Sequence, residues 1–143
     1  MLKSIIVSVF FCMGLTLTSA AFGHGTESHP PGQKVYIISP LDWQTVPETF
    51  TVRFGLAGMG VAPAGIERAK TGHHHLLIDG KELPNMTKPL PATENLKHFG
   101  GGQTETQLTL SPGKHTLQLI LADHAHVPHK TPLVSKKITV IVK

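Results

Sequence analysis

The sequence predicts an all-β fold, a sandwich of about seven strands, from two features of the chain. Short segments alternate apolar and polar residues with a period of two, which is typical of strands with one buried face. Turn-forming residues separate these segments, and the chain contains 11 prolines and 14 glycines. No segment carries a sustained helical repeat with capping residues. Short strands joined by such turns favour an immunoglobulin-like arrangement, in which two sheets enclose one core.

Three segments in the first half of the chain have the pattern of strands. Residues 34–39 form the first. Residues 49–56 form the second, in which phenylalanine, valine and leucine alternate with threonine, arginine and glycine. Residues 74–79 form the third, which ends at Asp79-Gly80, a dipeptide that is typical of turns.

Three further strands are expected in the second half, over residues 103–110, 115–123 and 135–142. The tight turn at residues 111–114, with the sequence Ser-Pro-Gly-Lys, separates the first two of them. Leucine, isoleucine and valine recur at every second position after this turn and again at the end of the chain. A strand within residues 81–97 is expected to be weak or absent.

The first 23 residues have the features of a secretory signal peptide. Lys3 precedes an apolar run over residues 5–17, and small residues follow the run. The run is too short for a membrane-spanning helix, and nothing later in the chain is apolar enough to span a bilayer. We therefore expect a periplasmic or secreted protein without a membrane span, whose mature chain begins between Ala21 and His24.

The mature chain of roughly 120 residues suits one domain with one modest core. We expect a flexible lead-in over residues 24–33 and a single β-sandwich domain over residues 34–143. The one cysteine, Cys12, is removed with the signal peptide, so neither a disulfide nor a thiolate ligand is expected. The basic residues are scattered and are not interleaved with aromatic residues, so nucleic acid is not an expected partner.

The chain contains 10 histidines, and seven of them fall in three short stretches. These stretches are residues 73–75, residue 98 and residues 124–129. Histidine is the commonest metal ligand in proteins. In an up-and-down Greek-key sandwich the three stretches are expected at one pole, and His115 is expected at the opposite pole. The sequence therefore predicts a metal site at the histidine-rich pole.

Strand alternation helps to choose the ligands. Two histidines of the triplet share one face of their strand, and His74 points to the other face. The spacing of His126 and His129 suits a loop that presents both rings inward. The five expected ligands are His73, His75, His98, His126 and His129. Nitrogen ligands at neutral pH suit copper or zinc.

Five further residues are secondary candidates for the site. His74 and His124 belong to the same stretches. Asp123 is either a ligand, an acceptor for a ring N–H group or a turn cap. Met59 either offers a thioether to Cu⁺ or fills the core. His24 would bind copper through its α-amine and its ring if signal cleavage made it the first residue.

Several sequence motifs together resemble a bacterial exported family, catalogued as domain of unknown function 4399. The motifs are Gly72–Asp79, His98–Glu105, Ser111–Gln118, His126–His129 and Val46-Pro47 followed by Phe54–Gly65. The resemblance covers nearly the whole mature chain. It implies a fold and an exported location more than an activity, because the family carries no established function.

Three functions are compatible with these features. The first is an exported protein that binds copper or zinc for buffering or delivery, with the metal ion as its partner. The second is a non-catalytic envelope module that contacts another protein, in which the histidines only order loops. The third, a metalloenzyme, is disfavoured because the sequence offers no nucleophile elbow, no carboxylate pair and no general base other than histidine.

Overall fold

A computed structural model describes residues 32–143. The expected signal peptide, most of the lead-in and His24 lie outside the described residues. The structure therefore bears on the expected all-β fold but on neither export nor the cleavage position.

Residues 32–143 form ten strands and no helix. The strands are β1 (Lys34–Ser39), β2 (Gln44–Val46), β3 (Thr49–Ala57), β4 (Gly60–Val61), β5 (Thr71–Ile78), β6 (Leu96–His98), β7 (Glu105–Thr109), β8 (Gly113–Ala122), β9 (Pro128–Val134) and β10 (Ile138–Val142). None of the described segments is a helix long and apolar enough to cross a membrane.

The strands form two sheets, which confirms the expected all-β sandwich. The smaller sheet has the order β1-β3-β7, and the larger has the order β2-β10-β8-β5-β4. In the larger sheet β6 also pairs with β5, and β9 also pairs with β8. The two central triplets, β1-β3-β7 and β10-β8-β5, correspond to the two sheets of an immunoglobulin-like fold.

Four strands were not expected as separate elements, namely β2, β4, β6 and β9. The first three contain only two or three residues, which is too short for a period-two pattern to be recognised. Strand β9 occupies part of the region expected to be a loop. It contains Pro128 and Pro132, and proline argues against a strand unless the strand lies at an edge or a bulge. Its pairing with β8 shifts register between Leu121 and Ala122.

The main core lies between the two sheets. Phe50, Val52 and Phe54 of β3 contribute to it from the smaller sheet, and Leu119 and Leu121 of β8 contribute from the larger one. All five side chains are buried, and each set recurs at every second residue. This alternation leaves the intervening residues of β5 and β8 on the outer face of the larger sheet.

A second, smaller core covers that outer face. Leu77 of β5 and Ile120 of β8 pack there with Leu90 and Leu96 from the segment that follows β5. The segment between β5 and β6, residues 79–95, therefore crosses the outer face of the sheet. This cover matters for function because His73 and His75, at every second position before Leu77, lie on the same face of β5.

Candidate metal centre

Strand β5 supplies two side chains to the candidate site. His73, His74 and His75 are all fully buried. Because neighbouring residues of a strand face opposite sides, His73 and His75 share the outer face with Leu77. His74 turns to the main core, where its ring centroid lies 5.2 Å from that of Phe54. The structure thus places His74, a secondary candidate, away from the other two.

Strand β6 adds the third side chain. It pairs antiparallel with β5, and in this register His98 is the direct partner of His75. Directly opposite residues of paired strands project from the same face, so His98 joins His73 and His75 on the outer face. Its side chain is exposed, unlike those of His73 and His75.

The loop between β8 and β9 brings the fourth side chain, His126, over the sheet. Asp123 organises this loop, because its Oδ1 accepts hydrogen bonds from the amides of Ala125 and Val127, both at 2.9 Å. The amide of His126 donates to the carbonyl of Asp123 at 3.0 Å. His126 itself has a left-handed backbone conformation, with φ of 65°. Asp123 is therefore a turn cap, which was one of its expected roles.

His73, His75, His98 and His126 form what we call the four-histidine cluster. One ring nitrogen from each lies within 4.8 Å of the others. The six ring-centroid distances run from 4.6 to 6.0 Å. The ligand nitrogens of one bound ion lie about 3–4 Å apart, so the cluster needs a modest contraction to hold an ion.

The buried rings of the cluster are neutral at pH 7. Burial, with a smaller contribution from the neighbouring histidines, lowers the pKa of His73 to about 4 and that of His75 to about 3. Burial and His126 also lower the pKa of His98. Because a metal binds the neutral imidazole, His73 and His75 carry their binding form across the neutral range.

Several buried ring nitrogens lack a hydrogen-bond partner among the described residues. They include Nδ1 of His73 and both ring nitrogens of His75. His73 Nε2 and His126 Nδ1 lie 3.2 Å apart, so the tautomer of each ring decides which nitrogen donates. A buried polar group without a partner costs about 1–3 kcal/mol. Such groups call for a ligand that uses them, and a metal ion would take one nitrogen from each ring.

The structure does not place His129 with the four, although the sequence predicted it as a ligand. It is the second residue of β9, and it has the same parity as Leu133, which lies in the main core. His129 therefore faces the other side of the sheet from His73. Its Nε2 is buried without a partner and lies next to Gly72. This position was predicted to be a loop but is a strand. The alternation of side chains along that strand directs the ring of His129 away from the cluster.

Two secondary candidates among the described residues, His124 and Met59, also lie outside the cluster. The carbonyl of His124 accepts a hydrogen bond from the amide of Gly65 at 2.9 Å. Met59 packs against the main core, in agreement with its core-filling interpretation. His115 lies beyond the far end of β5, where its Nδ1 is 2.7 Å from Oδ2 of Asp79.

One feature of the site had no signal in the sequence. The amide of Leu90 donates to the carbonyl of His126 at 2.9 Å, and so ties the 79–95 cover to the loop that carries a cluster histidine. A backbone contact between distant segments leaves no side-chain pattern, and only the fold reveals it.

Four nitrogen donors complete the coordination shell of a four-coordinate ion. Closed sites of this kind hold a metal, whereas catalytic sites keep a position open for water or substrate. Two of the rings are buried, one is half-buried and one is exposed, so the site has a solvent-facing side. The arrangement suits reversible binding of an ion better than chemistry at the ion.

Comparison with known proteins identifies the family. A search of curated proteins finds no match. One matching solved structure is an endo-beta-1,4-mannanase from Thermotoga petrophila, with 16% sequence identity over 82% of this chain and 21% of that chain. Its TM-score of 0.46 supports no conclusion about this protein. The model of the family described as "Domain of unknown function (DUF4399)" matches residues 52–143, more than half of the sequence, and the chain belongs to that family.

Proposed function

We propose that this protein is exported and binds one divalent transition metal ion, copper or zinc, for buffering or delivery. The observation that carries the proposal is the four-histidine cluster, whose ring nitrogens come within 4.8 Å of one another. Imidazole nitrogen is a common ligand of both metals. Export is supported by the pattern of the first 23 residues.

Reversible handling of the ion is supported by the unequal exposure of the ligands. His73 and His75 are fully buried, whereas His98 is exposed. An ion can therefore be released stepwise through the exposed side while the buried pair still holds it. A purely structural metal site would be expected to bury all its ligands.

The cluster contains no carboxylate and no residue other than histidine. A hydrolytic metal site usually combines the ion with an open position and a general base. Neither feature is present among the residues of the cluster, and metal binding without catalysis is the simpler function for it.

Calorimetry on untagged mature protein tests the proposal. We expect one Zn²⁺ or Cu²⁺ per chain with a dissociation constant below about 1 µM, a binding free energy of about −8 kcal/mol or stronger. A double variant, His98→Ala with His126→Asn, should lose this binding. Asparagine suits the left-handed backbone at position 126, where φ is 65°.

The matched control is His115→Ala, which removes a histidine beyond the far end of β5. It should bind metal like the unmodified protein. If the unmodified protein binds neither ion at micromolar concentration, or if His115→Ala alone abolishes binding, the proposal is wrong. The histidines would then serve to order loops, as in an envelope interaction module.

A further inference from the structure

We propose that the four-histidine cluster is a tetrahedral site that uses all four imidazoles and selects Zn²⁺ over Ni²⁺, an ion that prefers a square plane. This inference rests on the proposed function and goes further, because it names the coordination geometry and the metal. It follows from the relative positions of the four rings.

The ring-centroid distances fit a tetrahedron and not a square. The four corners of a square form two diagonal pairs. Each diagonal is about 1.4 times as long as a side. Only one distance in the cluster is long, that between His75 and His126 at 6.0 Å. If these two rings lay on one diagonal, His73 and His98 would lie on the other. Their rings are only 4.9 Å apart, a distance typical of the sides. No assignment of corners therefore makes a square.

The fold explains why the four rings cannot be coplanar. His73, His75 and His98 project from one face of one sheet, two from β5 and one from its partner β6. His126 comes from the loop between β8 and β9 and lies over those three. Its ring plane is nearly perpendicular to each of theirs, at 80°, 87° and 74° respectively for His73, His75 and His98. Three side chains from a sheet and one from above give a base and an apex.

One ligand-to-ligand distance already has the tetrahedral value. A tetrahedral ion with bonds of about 2.0 Å separates its ligand atoms by about 3.3 Å. Nε2 of His73 and Nδ1 of His126 are 3.2 Å apart. One ring nitrogen from each of the four residues lies within 4.8 Å of the others, and His98 is the exposed member of the cluster.

These positions favour Zn²⁺ for a physical reason. Zn²⁺ has no geometric preference from its d electrons and accepts a tetrahedral set of nitrogen ligands. Cu²⁺ and Ni²⁺ prefer tetragonal or square-planar ligands. Cu²⁺ binds most nitrogen sites tightly whatever their geometry, so Ni²⁺ is the more discriminating competitor.

Two measurements on the untagged mature protein test the geometry. The Co²⁺-loaded protein should show the intense visible d–d absorption of a tetrahedral ion. X-ray absorption of the Zn²⁺-loaded protein should show four nitrogen neighbours at about 2.0 Å and no additional oxygen. In competition, Zn²⁺ should displace Ni²⁺ at equal concentrations.

Two variants show which residues cause the signal. His124→Ala removes a histidine of the same loop that lies outside the cluster, and it should leave the Co²⁺ spectrum unchanged. His98→Ala should change the spectrum, because a water must replace the missing ring. An unchanged spectrum in His98→Ala would exclude His98 as a ligand and overturn the four-imidazole site.

The possible results separate this inference from the proposed function. Stoichiometric binding with a weak, six-coordinate Co²⁺ spectrum, or with Ni²⁺ retained against Zn²⁺, would overturn the tetrahedral site and leave metal binding intact. Absence of binding by Zn²⁺, Cu²⁺, Co²⁺ and Ni²⁺ alike would overturn both.

Discussion

At the scale of the residue, Asp123 determines where His126 lies. Its Oδ1 accepts two loop amides, and its carbonyl accepts a third, from His126. It is not a member of the cluster, and its role there is to position another residue. A carboxylate next to a histidine cluster can therefore shape the site without being one of its members.

Replacement of Asp123 should show whether this residue positions His126 or binds the metal ion itself. Asp123→Ala removes both side-chain hydrogen bonds and should weaken Zn²⁺ binding at least tenfold, since His126 loses its fixed position. Asp123→Asn retains an Oδ1 acceptor and should keep most of the affinity. Calorimetry measures both variants. Equal loss in both would instead indicate that the negative charge itself matters.

A second residue-scale prediction concerns the pair of His115 and Asp79. The hydrogen bond that His115 Nδ1 donates to the carboxylate of Asp79 raises the pKa of His115 above its ordinary value of 6.5. A raised folded-state pKa stabilises the fold below the unfolded value, and that stabilisation is lost as pH rises through the folded value. The side chain of Asp79 is 40% exposed, so the contribution should be below about 1 kcal/mol.

The variant Asp79→Asn tests this dependence. Asparagine tolerates the left-handed backbone at position 79, where φ is 54°. Urea unfolding should show a stability difference from the unmodified protein at about pH 6 that shrinks by about pH 9. A difference that stays constant over this range would exclude the charged pair as its cause.

At the scale of the element, β5 shows how far sequence patterns reach. The segments with one buried face, such as β3 and β10, alternate clearly, and their ends were predicted to within three residues. Strand β5 begins at Thr71 and was predicted from residue 74, because it is buried on both faces and its sequence does not alternate. Burial by the 79–95 cover is a tertiary effect, which a local pattern does not reveal.

The same reasoning explains which members of the four-histidine cluster could be predicted. His73, His75, His98 and His126 were all among the five expected ligands, and the structure brings these four together. His129 was included because residues 124–134 were expected to be a loop. The prolines of β9 argued against a strand in this region. In a strand, successive side chains face opposite sides, so the position of His129 in β9 decides which side its ring faces.

The connection between the cover and the cluster leads to an element-scale prediction. The amide of Leu90 donates to the carbonyl of His126, so an ion that fixes His126 should also fix residues around Leu90. Hydrogen exchange followed by mass spectrometry should show slower exchange in a peptide containing Leu90 after Zn²⁺ is added. A peptide from β1, in the other sheet, serves as the control and should not change. Equal exchange of the Leu90 peptide with and without Zn²⁺ would show that the cover is not coupled to the site.

At the scale of the whole molecule, the cluster brings together segments that are far apart in the chain. Its histidines come from β5, β6 and the loop between β8 and β9. An unfolded chain does not hold these residues close together, so the ion should bind the folded state much more tightly than the unfolded state. We therefore expect the proposed metal binding to be linked to global stability.

This linkage fixes the size of the expected thermal shift. A ligand at 100 times its dissociation constant stabilises the folded state by about 2.7 kcal/mol. For a domain of roughly 110 residues, each kcal/mol raises the melting temperature by about 4 °C, so Zn²⁺ should raise it by about 10 °C. The double variant His98→Ala with His126→Asn should melt at one temperature with or without Zn²⁺, whereas His115→Ala should keep the full shift. A shift of the same size in the double variant would mean that the ion stabilises the protein from a site other than the four-histidine cluster.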